Sequence, residues 1–324
     1  LEGTVVTGPA SRVRTSLRGN DSCDDLRVSG SGTAVCSDQR SAGTRVLALL
    51  DRDGEGDALS PLPAEFRWPR ISPDGRSVAI SADNRFGAFD LASGRVVELA
   101  PTPAGEPTWT PDSRHVVYWQ GSTTGDSDLW IRDKDAAEPP RQLTDDPNRS
   151  DFATSVSPDG EHVLFYDASD LWTVPIAGGQ PTRVLETPNA WERDGVFSPQ
   201  GDLIAYSSNE LGNWEVFVTS WPQALGRTRI SFEGGHSPKW SPDGSELYYI
   251  EGSRMMAVEI TREPDVRVGD AREIFRGGFW VDPSGDQTYD VGPDGRFLVI
   301  QGDDLVDVRV VTGLADAVED QGTR

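Results

Sequence analysis

The sequence predicts an all-β protein: a seven-bladed β-propeller of four-stranded antiparallel blades, with six blades as the alternative. Three observations carry that expectation. A Ser-Pro-Asp-Gly turn recurs along most of the chain, its spacing is that of one blade, and the segments flanking it alternate strands with turns.

The copies read WPRISPDGRSVAIS from Trp68, PTWTPDSRHVVYW from Pro107 and TSVSPDGEHVLFY from Thr154. They continue as GVFSPQGDLIAYS from Gly195, PKWSPDGSELYYI from Pro238 and YDVGPDGRFLVI from Tyr289. A degenerate copy, LRVSGSGTAVCS from Leu26, precedes them. The turn Ser or its equivalent falls at Ser29, Ser72, Thr110, Ser157, Ser198, Ser241 and Gly292. Successive spacings are 43, 38, 47, 41, 43 and 51 residues, the length of a four-stranded blade.

Each element of the repeat has a physical reason. Pro fixes φ, Asp suits turn geometry and Gly accepts positive φ, so the motif is a tight hairpin turn. The apolar residue before it ends strand A, and the apolar run after it is strand B. Those runs are apolar on both faces because blades stack face to face. Strand C follows, as in DLWIRD (128–133), DLWTVP (170–175), WEVFVTS (214–220) and RMMAVEI (254–260). Strand D closes the blade, as in PRQLT (140–144), TRVLE (182–186) and AREIF (271–275).

Counting strands predicts the closure. The last copy has A, B and a strand C at 304–310, then a polar tail. An orphan strand, SRVRTSL at 11–17, precedes the first copy. The expectation is that this orphan completes the last blade and removes the sheet edges. The chain then reads as one domain over 1–324: a closing strand within 1–19, seven blades over 20–312 and a tail over 313–324. If the degenerate first copy is not a blade, the count falls to six.

Composition bounds the function. A formal net charge of −23 repels phosphate backbones and argues against nucleic-acid binding. No segment is apolar enough for a membrane-spanning helix. Lys occurs only at Lys134 and Lys239, which reads as the codon usage of a GC-rich genome. Cys23 and Cys36 fall on neighbouring strands, compatible with a disulfide or with two buried thiols. The first residue is Leu1, so the expectation is an upstream signal peptide, lipoprotein anchor or further domain, and an extracytoplasmic monomer.

These repeats resemble the WD-repeat-like propellers with S-P-D-G signatures, as in the TolB C-terminal domain. The stretch 195–300 is also similar to propellers fused behind bacterial serine/threonine kinases, although no kinase signature is present. The resemblance implies a propeller whose site is the mouth of its central channel. It implies no single activity, since such propellers serve as scaffolds, sensors, peptidase gates and lyases.

Candidate site residues come from aligning the copies at that mouth. Four residues before each turn stand Asp25, Trp68, Glu106, Ala153, Asp194, Ser237 and Thr288. One residue earlier stand Asp24, Arg67, Gly105, Phe152, Arg193, His236 and Gln287. These positions vary while turn and core positions repeat, as either a site or a solvated surface would. Asp25, Glu106 and Asp194 can serve as acid and base or hold a cation, and Arg67 and Arg193 can clamp a carboxylate. Trp191, Phe279, Trp280 and Tyr289 can stack on a ligand or pack between blades. The predicted ligand set is therefore Asp25, Arg67, Trp68, Glu106, Arg193, Asp194, His236, Gln287 and Tyr289.

Of three histidines, His115 and His162 begin strand B and only His236 reaches the mouth. That argues against the multi-His metal site of similar-looking lyases. In DRDGEGD (51–57), Asp51, Asp53 and Glu55 alternate and can wrap calcium; an ordinary acidic turn is the alternative. No other cofactor is expected. The expected role is a non-catalytic binding or scaffold module meeting a protein or small molecule at the mouth. The alternative is an enzyme, a lyase, hydrolase or isomerase, using the mouth carboxylates.

Overall fold

The computed structural model describes residues 25–28, 34–38, 45–59, 64–121, 125–262, 266–282, 287–302 and 307–311. Side chains are described within 45–302. Among these residues there are 28 strands and no helix. The chain divides into two compact units, 45–302 and a second drawn from 1–44 and 303–324.

The 45–302 unit is the propeller. Its first strands, β3 (Val46–Leu50) and β4 (Gly56–Ala58), follow β1 (Asp25–Val28) and β2 (Ala34–Asp38) of the other unit. Blade 1 is β5 (Phe66–Ile71), β6 (Ser77–Ala82), β7 (Arg85–Asp90) and β8 (Val96–Ala100). Blade 2 is β9 (Ala104–Trp109), β10 (His115–Gly121), β11 (Ser127–Asp133) and β12 (Arg141–Gln142). Blade 3 is β13 (Phe152–Val156), β14 (His162–Tyr166), β15 (Leu171–Pro175) and β16 (Thr182–Leu185). Blade 4 is β17 (Glu192–Phe197), β18 (Leu203–Ser208), β19 (Glu215–Ser220) and β20 (Thr228–Arg229). Blade 5 is β21 (His236–Trp240), β22 (Glu246–Glu251) and β23 (Arg254–Thr261), flanked by β24 (Arg267–Val268) and β25 (Arg272–Arg276). Blade 6 takes β26 (Tyr289–Val291) and β27 (Phe297–Gln301) and returns to β3 and β4.

The propeller thus has six blades, the alternative count. Closure differs from the expected one. Strand β27 pairs with β3 in unbroken register, from Phe297 opposite Leu50 to Gln301 opposite Val46. Its open edge is therefore filled by the strands that the first copy was expected to keep as its own C and D. The first copy's A and B, β1 and β2, pair instead with β28 (Asp307–Val311) in a three-stranded sheet. Strand β28 is the segment expected as strand C of the last blade. The strand expected at 11–17, Cys23 and the polar tail lie outside the described residues.

Six apolar cores sit between successive blades and complete the ring. The core between blades 4 and 5, for instance, sets Leu203, Val216 and Val218 against Trp240, Leu247 and Val258. Tryptophans ending strand A tie neighbours together. Trp109 Nε1 donates to the carbonyl of Arg70 at 2.9 Å, and Trp240 Nε1 to that of Val196 at 3.3 Å.

The repeated turn is held by its own side chains. Ser72 Oγ donates to Asp74 Oδ1 at 2.6 Å and accepts the backbone N–H of Ser77 at 2.9 Å. Asp74 Oδ1 also accepts the N–H of Arg76 at 3.0 Å. Thr110 with Asp112, and Ser241 with Asp243, repeat the arrangement. Where Gln200 replaces the aspartate, Asp202 takes the serine hydroxyl instead. Gly75 has φ +70°, and a Cβ there would lie 3.2 Å from Pro293 in the preceding blade's turn. Glycine is thus favoured there by its own backbone and by a close neighbour, although Ser113 takes the equivalent place in blade 2 at φ 59°.

Candidate functional site: the mouth of the propeller channel

Strand A of each blade faces the propeller axis and begins at the mouth. In four blades this strand carries a bulge, seen as a register shift between Arg67 and Arg70, Ala153 and Ser155, Arg193 and Val196, and His236 and Lys239. The pairing of blade 2 shifts likewise, between Val117 and Trp119 of β10. At the bulge the backbone is left-handed at Trp68 (φ 50°), Glu106 (φ 44°), Asp194 (φ 58°) and Ser237 (φ 55°). None is glycine, so each costs of order 1–2 kcal/mol, which the surrounding sheet supplies. A bulge re-aims side chains, here toward the axis.

The re-aimed side chains meet. Trp68, Arg70, Glu106, Ala153, Tyr166, Arg193, Asp194 and Gln287 line one narrow cavity of about 10 Å³. Asp194 is its anchor. Its Oδ1 accepts Gln287 Nε2 at 3.0 Å; its Oδ2 accepts Ser207 Oγ at 3.1 Å and the N–H of Ser237 at 3.2 Å. Arg193 Nε lies 3.7 Å from the same carboxylate, and its guanidinium sits over Trp214, 4.1 Å from the ring centroid. An Arg70 guanidinium nitrogen donates to Gln287 Oε1. The chain Arg70, Gln287, Asp194, Ser237 closes the channel to a waist.

An aromatic arc flanks the waist. Trp68 meets Trp119 edge-on with centroids 6.2 Å apart, Trp119 meets Phe152 at 5.9 Å, and Phe152 stacks on Tyr166 at 5.2 Å. Tyr166 Oη lies 3.3 Å from both oxygens of Glu106 and donates to that carboxylate. Trp68 lies over Gly105 so closely that a Cβ there would come within 2.4 Å of its ring. Gly105 therefore makes room for Trp68.

Of the nine predicted ligand residues, Trp68, Glu106, Arg193, Asp194 and Gln287 line this cavity. Arg67 is exposed beside it. His236 is half-buried, with Nδ1 3.0 Å from Ser237 Oγ. Burial holds its imidazole below the usual range, opposed by the charge of Asp194 and assisted by that of Arg193. Tyr289 is fully buried and donates to the carbonyl of Ser237 at 2.8 Å, so it supports the wall from behind. Asp25 lies on β1, in the other unit. Among the aromatics, Trp280 is buried under Arg45, whose guanidinium carbon is 3.5 Å from its ring centroid. Phe279 packs on Phe275, and Trp191 is 59% exposed.

Alignment at the mouth missed two contributors, Tyr166 and Arg70. Tyr166 ends strand B, and Arg70 stands two residues before its turn. Lining up the copies at that second position would have exposed Arg70.

The expected calcium loop is the β3–β4 turn. Asp51 Oδ1 accepts the N–H groups of Asp53, at 2.9 Å, and of Glu55, at 3.0 Å, and so shapes the turn. Among the described residues, one group of three acidic or histidine side chains has its ligand atoms within 4.8 Å: Asp159, Glu161 and His162. Its Asp159 already accepts a hydrogen bond from Ser157 Oγ and another from the N–H of Glu161. His115 and His162 open strand B beside the turns, while His236 opens strand A at the mouth.

This β-propeller has solved counterparts. A TolB-like protein from Agrobacterium tumefaciens superposes with a TM-score of 0.65 at 19% identity, over 82% of this chain and all of that one. TolB from Acinetobacter baumannii gives 0.54 at 17% identity, over 72% of this chain and 67% of that one. The fold is TolB-like. An oligogalacturonate lyase in complex with manganese gives 0.56 at 13% identity, over 87% and 96% of the two chains. At these identities the TolB-like likeness is one of fold. No protein-family model matches the chain. A curated relative, the uncharacterized protein Atu1656 of Agrobacterium fabrum, is 27% identical over 209 residues, 56% of this chain and 68% of that protein.

Proposed function

We propose that this TolB-like propeller is a non-catalytic, extracytoplasmic binding module whose protein or small-molecule partner meets the channel mouth. One observation carries the reading. Side chains that differ from repeat to repeat converge from five blades at one end of the axis, several on left-handed backbone. Strain of this kind concentrates where a surface is shaped for a ligand. The chemistry of the mouth favours holding over reacting. Asp194 is committed to three hydrogen bonds and Glu106 accepts from Tyr166, so both carboxylates act as fixed acceptors.

The test is site-specific photocrosslinking in cells of the source organism. A photoreactive residue replacing exposed Arg67 at the mouth is compared with one replacing Asp243 at the turn end. The expected result is a discrete adduct from position 67 that is lost with Trp68→Ala or Glu106→Gln. Adducts from position 243 alone would overturn the reading. Cell fractionation checks location; a purely cytoplasmic protein contradicts it.

A further inference from the structure

The other end of the channel carries a second cavity of about 400 Å³, rimmed by the repeated turns and sharing Arg70 with the mouth. Its wall contains the residue two before the turn from every blade: Arg70, Thr108, Ser155, Val196, Lys239 and Asp290. This ring is unlike the rest of a chain of net charge −23. Within the ring two cations stand with one carboxylate, Asp290, and two hydroxyls; Asp194, nearer the mouth, is the other carboxylate facing Lys239.

Neither cation is fully compensated. Lys239 is 5% exposed, and its ammonium lies 3.8 Å from Asp290 Oδ1, too far for a good hydrogen bond. Asp290 is shared, since its Oδ2 accepts the N–H of Ile71 at 2.9 Å. Arg70 is also 5% exposed; its terminal nitrogens donate to the carbonyl of Pro69 and to Gln287 Oε1, while its Nε is buried without a hydrogen-bond partner. Buried charges and donors left in this state call for a further partner. The turn aspartates nearby do not supply it, because their carboxylates are bonded within their own turns.

We propose that this turn-end cavity binds a small oxyanion, a carboxylate or phosphate group, through Lys239 and Arg70, with Thr108 and Ser155 as hydroxyl donors. This site does not depend on the reading of the mouth. The charged groups facing Lys239 are Arg70 from β5, Asp194 from β17 and Asp290 from β26. Burial, with Arg70, pulls its ammonium down to about 7 against the two aspartates. A bound anion opposes that pull, so binding takes up a proton near pH 8.

Calorimetric titration of the full chain with inorganic phosphate and with succinate tests the proposal and separates the two anion types. Saturable binding of at least one is expected, weaker by about tenfold in Lys239→Met, the loss of one charge-assisted hydrogen bond. Arg276→Ala, which removes a surface cation, leaves it unchanged. Near pH 8 the heat should depend on the buffer's ionisation enthalpy. No saturable heat with either anion, or unaltered affinity in Lys239→Met, overturns the proposal. Thr108→Val provides the same test without changing charge: unaltered affinity there too excludes the hydroxyl ring.

Discussion

Asp243 and Lys239 stand four residues apart on one strand and turn, and their environments move them in opposite senses. The backbone N–H of Ser245 and the hydroxyls of Ser241 and Ser245 hold Asp243 down to about 2. A depressed carboxyl contributes stability above its unfolded value of 3.8 and loses it as pH falls toward 2. Asp243→Asn should therefore cost about 1 kcal/mol or less at pH 7, with wild type and variant converging by pH 2 in urea titrations. Lys239 behaves in reverse. Unfolded, its amine keeps a proton to 10.5; folded, only to about 7. The unfolded chain binds more protons between those values, so this residue's penalty is full below pH 7 and fades as pH rises to 10.5. Lys239→Met should raise the melting temperature most at pH 6 and least near pH 10. A variant less stable than wild type at pH 6 would show that the Asp290 pair outweighs desolvation. The turn aspartate was legible in the sequence, because its role is local and repeats. Lys239 was not: its role depends on side chains from three other blades.

At the scale of the element, strand A does two jobs at its two ends. The turn end is fixed by S-P-D-G chemistry, and for that reason its positions were readable from the chain alone. The mouth end is fixed by a bulge, which leaves no sequence signature because Trp68, Glu106, Asp194 and Ser237 share conformation but not chemistry. Alignment found these positions by counting back from the turn, yet could not show that Tyr289, one position further along, faces away from the mouth. The bulge also sets how tightly blade 1 meets blade 2. Gly105→Ala would bring a Cβ to within 2.4 Å of the Trp68 ring and force it to move. The expected cost is about 1–3 kcal/mol, with a changed near-ultraviolet circular dichroism spectrum. An unchanged spectrum would mean that the ring yields without leaving its arc.

For the whole molecule, the blade count turned on a choice that no local pattern encodes. Seven strand A–strand B pairs are visible in the sequence, and the apolar run at 46–50 follows the first of them. Pairing it with 297–301 instead removes one blade and closes the ring. Local propensity is the same either way; only the long-range register differs. That register is the propeller's clasp, two strands from each end of the unit in one sheet. Proline cannot donate to a ladder, so Leu49→Pro, in a strand paired on both sides, should destabilise the propeller by about 3 kcal/mol or more. Chemical denaturation of that variant checks it. A loss smaller than that of a comparable outer-strand change, such as Val97→Pro, would show the clasp to be dispensable.

The same clasp imposes a timetable on synthesis. Strands β3 and β4 leave the ribosome before any complete blade, and their partners β26 and β27 leave after five blades have been made. Until then the edge of β3 that receives β27 stays open and Leu50 lacks its blade 5 neighbours, whereas blade 1 is already made and can cover Leu47 and Leu49. An elongating chain of this protein therefore carries one open strand edge until its last blade is made. An edge left open for that interval is the part of the nascent chain most exposed to wrong pairing.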